Sequence, residues 1–235
     1  LGTVEAFATQ LLEKFGLVPG RTAGHSFGEY TALWAAGCLT LHDLLHLSMR
    51  RGQIAARGSR DVPGAMAAVA SDGAAVAEAL RQISSGATVA NFNSPRQTII
   101  AGSADDIERA IAELGRLGLA ARTIPVTAAF HTTAMTSAAA TLAKSLSRVA
   151  FGKAKIPVSS NTTGQTYPAE ADEIRTLLAR HLVEPVQFEK QMRCLHSDGV
   201  RLFLEVGPGS VLTKLVRTIL EKEPGVTALS VDSPG

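Results

Sequence analysis

Two cysteines, Cys38 and Cys194, are all that 235 residues contain. That is too few for a disulfide scaffold or a cysteine-built zinc cluster. It fits a reducing, cytoplasmic setting in which both thiols are buried and inert. A one-signed charge is also missing: the formal net charge is +2, and there is no block of Lys or Arg, so nothing argues for nucleic acid as a partner. No apolar run approaches membrane-spanning length and no signal-peptide pattern opens the chain, so no membrane partner is expected. Internal repeats and low-complexity segments are absent too. What remains is 46% hydrophobic and 19% charged, the balance of a soluble globular chain. It is long enough to bury a core as one large domain or two small ones. The first residue is Leu1 rather than Met, as in a piece of something longer.

The most informative stretch is Gly24-His25-Ser26-Phe27-Gly28-Glu29, where a short apolar strand (Arg21 to Gly24) runs into a helix. It has the G-x-S-x-G form of a nucleophile elbow, with the serine on a strained tip at the start of the next helix. The expectation is that both glycines are there because the turn admits no Cβ on either side. The Phe27 N–H would then be free to stabilise an oxyanion. With 21 glycines in the chain, a chance match is the competing reading.

Around the elbow, helical spacing puts Val4, Phe7, Ala8, Leu11, Leu12 and Phe15 on one face, with Gly16 as the stop. Tyr30 to Ala36 is almost wholly apolar, which places the elbow helix in the core. Gly37 ends it. Thr40 and Asp43 form a capping box for a helix running toward Arg57. Residues 65–126 change texture, reading β-α-β-β-α-β: strand 65–70, helix 74–83, strands 87–91 and 97–101 around an Asn-Ser-Pro turn, a helix capped by Ser103 or Asp105, and strand 121–126. That order is a split βαβ, ferredoxin-like arrangement. It is expected as a small subdomain over 63–127, hinged at Pro63-Gly64 and at 125–129. The larger α/β part comprises 1–62 and 128–235. Helices over 136–149, 171–182, 188–197 and 211–220 alternate there with strands over 156–160 and 201–206. Strand, glycine turn and helix recur at Ser26 and at Gly207-Pro208-Gly209. The fold class is therefore α/β, a large hydrolase-like parallel-sheet domain with an inserted smaller one.

A serine hydroxyl needs a base. Of six histidines, His25 sits on the turn itself and reads as structural. His42 and His46 form an i, i+4 pair with no third metal ligand, so a half-exposed helix face is the better reading and no metal site is expected. His196 lies near a helix C-terminus, where it suits the dipole. His131, in the loop Ala128-Ala129-Phe130-His131-Thr132 at a domain junction, is placed either for a base or for a structural role. Arg50-Arg51-Gly52 follows Met49. If one of these arginines turns inward it requires an anion, and a guanidinium fork matches a carboxylate.

Seven blocks, in order, resemble the malonyl-CoA:acyl-carrier-protein transacylases and the acyltransferase domains of polyketide and fatty-acid synthases. They are 24–30 (GHSFGEY), 49–52 (MRRG), 63–66 (PGAM), 91–98 (NFNSPRQT), 130–132 (FHT), 180–188 (RHLVEPVQF) and 204–209 (LEVGPG). The resemblance implies a ping-pong transfer through an acyl-serine. Ser26 would be the nucleophile, His131 the base, and the Phe27 N–H an oxyanion donor. The main-chain carbonyl of His181, rather than a carboxylate, would orient His131, and the His181 side chain need not take part. Arg51 would hold the free carboxylate of a malonyl group, Asn93 would lie near that pocket, and Phe130 would fill the space an α-methyl needs. Malonyl-CoA would be a substrate, with no tightly bound cofactor. The partners implied are an acyl-carrier protein, met by basic residues such as Arg57, Arg60, Lys190 and Arg193, and the other domains of a multidomain synthase.

In one respect the chain departs from the family. A strand and a glutamine-bearing loop that supplies a second oxyanion N–H precede the elbow in the family, and this sequence starts downstream of them. The expectation is a sheet without its first strand and a half-supplied oxyanion hole. The alternatives are a serine thioesterase or esterase on the same elbow, which leaves Arg51 unexplained, and a non-catalytic carrier-docking module.

Overall fold

The structure is a computed structural model that describes residues 1–61, 63–126 and 128–232. In chain order the elements are α1 (Gly2–Lys14), β1 (Thr22–Ala23), α2 (Gly28–Ala35), α3 (Leu41–Asp61), β2 (Ala65–Val69), α4 (Gly73–Gln82), β3 (Thr88–Ser94), β4 (Gln97–Gly102) and α5 (Ala104–Arg116). They continue with β5 (Ala121–Ile124), α6 (Thr136–Leu146), β6 (Val158–Ser159), α7 (Ala171–Arg180), α8 (Phe188–Ser197), β7 (Leu202–Glu205), α9 (Val211–Ile219) and β8 (Thr227–Ser230). The fold is mixed α/β, with parallel pairing at both ends of the chain and an antiparallel sheet between.

The antiparallel sheet has the order β3-β4-β2-β5. β2 lies centrally, pairing Ala67 with Ile100 of β4 and with Thr123 of β5. α4 and α5 cover one face through Val76, Ala79, Ile107, Ala110 and Leu114, which close a core with Ala67, Val69 and Ile100. Both helices are capped at their N-termini, the second by the expected Ser103. The Asp72 carboxylate accepts from Ala74 and Ala75, and Ser103 Oγ accepts from the Asp106 N–H. The sheet is tied to the rest of the chain at its β3 edge, where Phe92 N–H donates to the Val186 carbonyl and Val186 N–H to the Ala90 carbonyl, both at 2.8 Å. The proposed boundaries at 62 and 127 fall on residues outside those described.

The largest core cluster is helical. α2 runs through it, contributing Tyr30, Ala32 and Leu33, against Leu44, Leu47 and Ile54 of α3, Leu142 and Leu146 of α6, and Ile174 and Leu178 of α7. The expected capping box at Thr40 is formed, with Asp43 N–H donating to Thr40 Oγ1 at 3.1 Å. A separate cluster joins α8, α9, β7 and β8 through Phe188, Met192, Leu215, Val216 and Ala228.

Three local expectations are corrected. The parallel sheet comes in two short pieces, β1 with β6 and β7 with β8. The strand expected over 156–160 is reduced to Val158–Ser159, and β8 is an additional strand, pairing Phe203 with Ala228. α1 packs through its small residues Gly2 and Ala6, while Phe7 and Phe15 are 68% and 76% exposed. Its large apolar face is thus turned outward, because the close approach to α3 excludes bulk: a Cβ on Gly2 would lie 2.6 Å from Ser48 Oγ. Finally, Cys38 is buried but Cys194 only half so, its Sγ accepting from Gln165 Nε2 at 3.3 Å. No helix among the described residues is long and apolar enough to cross a membrane.

Candidate active site

The turn between β1 and α2 holds Ser26 at φ 50°, and the loop after β5 holds His131 at φ 61°. Among the described residues these are the two non-glycine positions with positive φ. A left-handed conformation costs such residues roughly 1–3 kcal/mol and persists where the surroundings over-determine it. At the serine the surroundings are specific. The Ser26 N–H donates to Asn161 Oδ1 at 3.3 Å, and the Gly28, Glu29 and Tyr30 N–H groups bond back to the carbonyls of His25, Ser26 and Phe27. The Phe27 N–H has no acceptor among the described residues.

The two elbow glycines are not equivalent, which corrects the expectation of matched need. A Cβ on Gly24 would meet the Gly28 carbonyl carbon at 2.0 Å and the Glu29 nitrogen at 2.2 Å. A Cβ on Gly28 would meet nothing within 4 Å, and its φ is ordinary. Only the first glycine is dictated by close approach.

Two side chains converge on Ser26 Oγ. His131 Nε2 is 2.9 Å away and Arg51 Nη2 is 3.0 Å away. On the far side of the ring, His131 Nδ1 donates to the main-chain carbonyl of His181 at 2.7 Å. A carbonyl can only accept, so Nδ1 carries the proton and Nε2 presents its lone pair to the serine. The His131 N–H is also tied, to the Leu182 carbonyl at 3.0 Å. Arg51 can only donate, so the hydroxyl accepts from it and donates to His131.

Arg51 is the inward member of its pair. On α3 it lies four residues after Leu47 and seven after Leu44, on the face that packs the core, whereas Arg50 turns aside to Gln53. Its guanidinium carbon sits 5.7 Å from the Phe27 ring centre and 5.9 Å from that of Tyr30. Among the described residues no carboxylate is paired with it. Burial lowers its pKa, though a guanidinium remains a cation. Burial, reinforced by the neighbouring His181 and by the Arg51 charge, holds His131 well below the usual histidine range. The imidazole is therefore neutral, as a base must be.

The other expected residues fall nearby. Phe130 is half-buried beside His131 and packs against two core clusters. Asn93 is buried with both polar ends engaged, Oδ1 on His25 Nε2 at 2.8 Å and Nδ2 on Gln97 at 2.9 Å. It is thus joined to His25 rather than to the Ser26 cluster. His25 packs edge-on against Phe188. His42 and His46 stack on an exposed face. Among the described residues no group of three or more metal-ligating side chains is brought together.

Sequence reasoning missed two buried groups. Glu29 is fully enclosed, and its Oε2 accepts from His181 Nδ1 at 2.9 Å. Its Oε1 accepts from the Asn161 N–H at 2.8 Å. Burial raises its pKa to about 7. The signal was present: a glutamate opening an otherwise apolar, core-bound helix requires partners inside. The His181 side chain, which the expected role of its carbonyl did not require, is the second.

A cavity of about 330 Å³ lies on the other side of the elbow, between β1 and β7. His25, Phe27 and Phe188 line it, but Ser26, His131 and Arg51 do not.

Residues 1–233 match the family described as acyl transferase domain. A polyunsaturated fatty acid synthase polypeptide from Thraustochytrium sp. is 36% identical over 96% of this chain, which spans 8% of that much longer relative. A malonyl CoA-acyl carrier protein transacylase of Bacillus subtilis is 38% identical over 89% of this chain and 68% of its own length. The crystal structure of a malonyl-CoA:acyl carrier protein transacylase from Xanthomonas oryzae superposes with a TM-score of 0.91 at 34% identity, over 99% of this chain and 74% of that one. With nearly its whole length matched, the chain belongs to the acyl transferase domain family.

Proposed function

We propose that this chain is an acyltransferase domain that moves a malonyl group from malonyl-CoA to the phosphopantetheine thiol of an acyl-carrier protein, as part of a polyketide or fatty-acid-type synthase. One observation carries the reading: Ser26 Oγ lies 2.9 Å from a neutral imidazole and 3.0 Å from a guanidinium that lacks a carboxylate partner among the described residues. A serine esterase needs the first contact and has no use for the second. The transacylases matched above act, by name, between malonyl-CoA and an acyl-carrier protein.

In this mechanism Arg51 takes the free carboxylate of the malonyl group and so brings the thioester carbonyl to Ser26. The Ser26 hydroxyl proton passes to His131 Nε2 as Oγ bonds to the carbonyl carbon, and the resulting oxyanion faces the Phe27 N–H. Collapse breaks the carbon–sulfur bond, and the departing CoA thiolate takes the proton from His131. The carrier thiol then gives its proton to His131 as its sulfur bonds to the acyl carbon; the ester carbon–oxygen bond breaks and Ser26 Oγ leaves with the proton from His131. Asn93, through His25, supports the turn that carries Ser26. Phe130 occupies the space of an α-methyl, a discrimination of about 1–3 kcal/mol. Arg57, Arg60 and Lys190 are exposed and offer positive charge to an acidic carrier.

The organisation proposed is a ferredoxin-like unit over 63–127 set into an α/β-hydrolase-like unit of 1–62 and 128–235. The order β3-β4-β2-β5 and the self-contained core under α4 and α5 support it.

Intact-mass measurement after brief exposure to malonyl-, acetyl- and methylmalonyl-CoA tests the function. A malonyl adduct that disappears in Ser26→Ala is expected, with a weaker methylmalonyl adduct. A folded sample that acquires no adduct from any of the three overturns the reading.

A further inference from the structure

Arg51 has a donor direction that the mechanism leaves unused. The guanidinium Nε–H points at His181 Nε2, 3.4 Å away. On the other side of that ring, Nδ1 meets Glu29 Oε2 at 2.9 Å. The side chains of both Glu29 and His181 are fully enclosed. Because the arginine can only donate, Nε2 must be the acceptor and Nδ1 must carry the proton toward Glu29. The Tyr30 ring stands edge-on to His181 at 5.7 Å and also underlies Arg51. The imidazole is thus fixed at two ends and on one side.

We propose that Glu29 and the His181 side chain form a positioning relay for Arg51, which sets the preference for acyl groups bearing a free carboxylate. The proposal rests on the acyltransferase reading above and adds to it. Its physical content lies in what the relay withholds. A carboxylate bonded directly to Arg51 would hold the guanidinium in place but neutralise much of the charge meant for the substrate. A neutral imidazole anchors Nε without cancelling that charge, and Glu29 anchors the imidazole from one ring further away. The Nη edge of the fork, which already reaches Ser26 Oγ, is left to meet the malonyl carboxylate. His181 therefore serves both halves of the site, aligning His131 through its main-chain carbonyl and Arg51 through its side chain.

The test compares His181→Leu and His181→Gln with the unaltered protein in single-turnover loading of Ser26 from malonyl-CoA and from acetyl-CoA. Both variants keep the main-chain carbonyl. Leucine fills similar volume without an acceptor, whereas glutamine can donate to Glu29 and accept from Arg51. For His181→Leu the malonyl KM is expected to rise about tenfold while kcat changes much less, with a matching fall in the malonyl-to-acetyl ratio; that size corresponds to one hydrogen bond to a charged group. His181→Gln should recover most of the ratio. An unchanged ratio in the leucine variant, or a glutamine variant as defective as leucine, overturns the relay. An unaltered protein that loads neither acyl group overturns the acyltransferase reading instead, so the two failures are distinct. Folding of the variants is bypassed by one further measurement on the unaltered protein. The Arg51 Nε–H resonance, assigned by its loss in Arg51→Lys, should be protected from solvent exchange. Exchange at the rate of a free arginine overturns the relay independently of activity.

Discussion

His131 is oriented by a main-chain carbonyl, that of His181, at 2.7 Å from Nδ1. A carbonyl dipole fixes the tautomer as a carboxylate would, but it brings no negative charge to stabilise an imidazolium. Burial and the neighbouring Arg51 and His181 push the same way, so His131 titrates well below the usual histidine range. On the proposed mechanism the base stays neutral through pH 6.5. The acidic limb of kcat/KM for malonyl loading should therefore lie below pH 6.5, with little loss on going down to 6.5 from neutral pH. A limb centred at or above 6.5 would show that the base is a differently placed group.

Arg51 gives the sharpest separation between transfer and simple hydrolysis. Its Nη2 donates to Ser26 Oγ, and no carboxylate is paired with the guanidinium among the described residues. Arg51→Ala should reduce malonyl loading by roughly 10- to 100-fold, the range expected for losing a hydrogen-bonded ion pair. Acetyl loading, which offers no carboxylate to bind, should fall far less. Equal losses for both acyl groups would place Arg51 in the chemistry at Ser26 rather than in recognition.

The elbow glycines provide a test of stability that needs no substrate. Gly24→Ala forces a Cβ to within 2.0 Å of backbone at Gly28, which rigid main chain cannot relieve. It should unfold the turn or prevent soluble expression. Gly28→Ala places its methyl in open space on the first turn of α2. It should be neutral or raise stability by about 0.4–1 kcal/mol, through loss of freedom in the unfolded chain. Thermal melts of the two variants decide this, and similar damage from both would contradict the geometry.

Much of this was legible in the sequence, for identifiable reasons. The antiparallel sheet has strong local signals, such as the Ser103 cap, and its elements fall within a few residues of where the pattern put them, β3 running on to Ser94 and β5 stopping at Ile124. Ser26, Phe27, Arg51, Phe130 and His131 carry recognisable local patterns and lie together in space. What escaped detection depends on distant packing. α1 has a textured apolar face, yet it packs through Gly2 and Ala6 because contact with α3 rewards small residues there. The pairing of β8 with β7 was signalled only by a short β-branched run after Pro224-Gly225. Glu29 and His181 are 152 residues apart, and no spacing rule joins them. Asn161, which holds both the Ser26 N–H and, through its own N–H, Glu29, was likewise invisible among turn residues.

The buried polar cluster also dictates how stability responds to pH, with two opposing effects. His25, His131 and His181 are all held below the ordinary histidine value, chiefly by burial. Below pH 6.5 the unfolded chain binds protons that the folded one refuses, so these groups contribute stability above 6.5 that is lost as pH falls. Glu29 has the opposite sign. Its pKa is raised from 4.5 to about 7, so the folded state keeps a proton that the unfolded chain releases. Its contribution is fully present below 4.5 and is lost as pH rises toward 7. Three histidines against one glutamate give a net fall in melting temperature as pH drops from about 6.5 to about 5. Glu29→Gln removes the opposing member and should steepen that fall, while His181→Gln removes one histidine and should make it shallower. Melting curves at half-unit pH steps measure the three slopes. An order other than Glu29→Gln steepest and His181→Gln shallowest would mean that the proton uptake on acid unfolding resides outside this cluster.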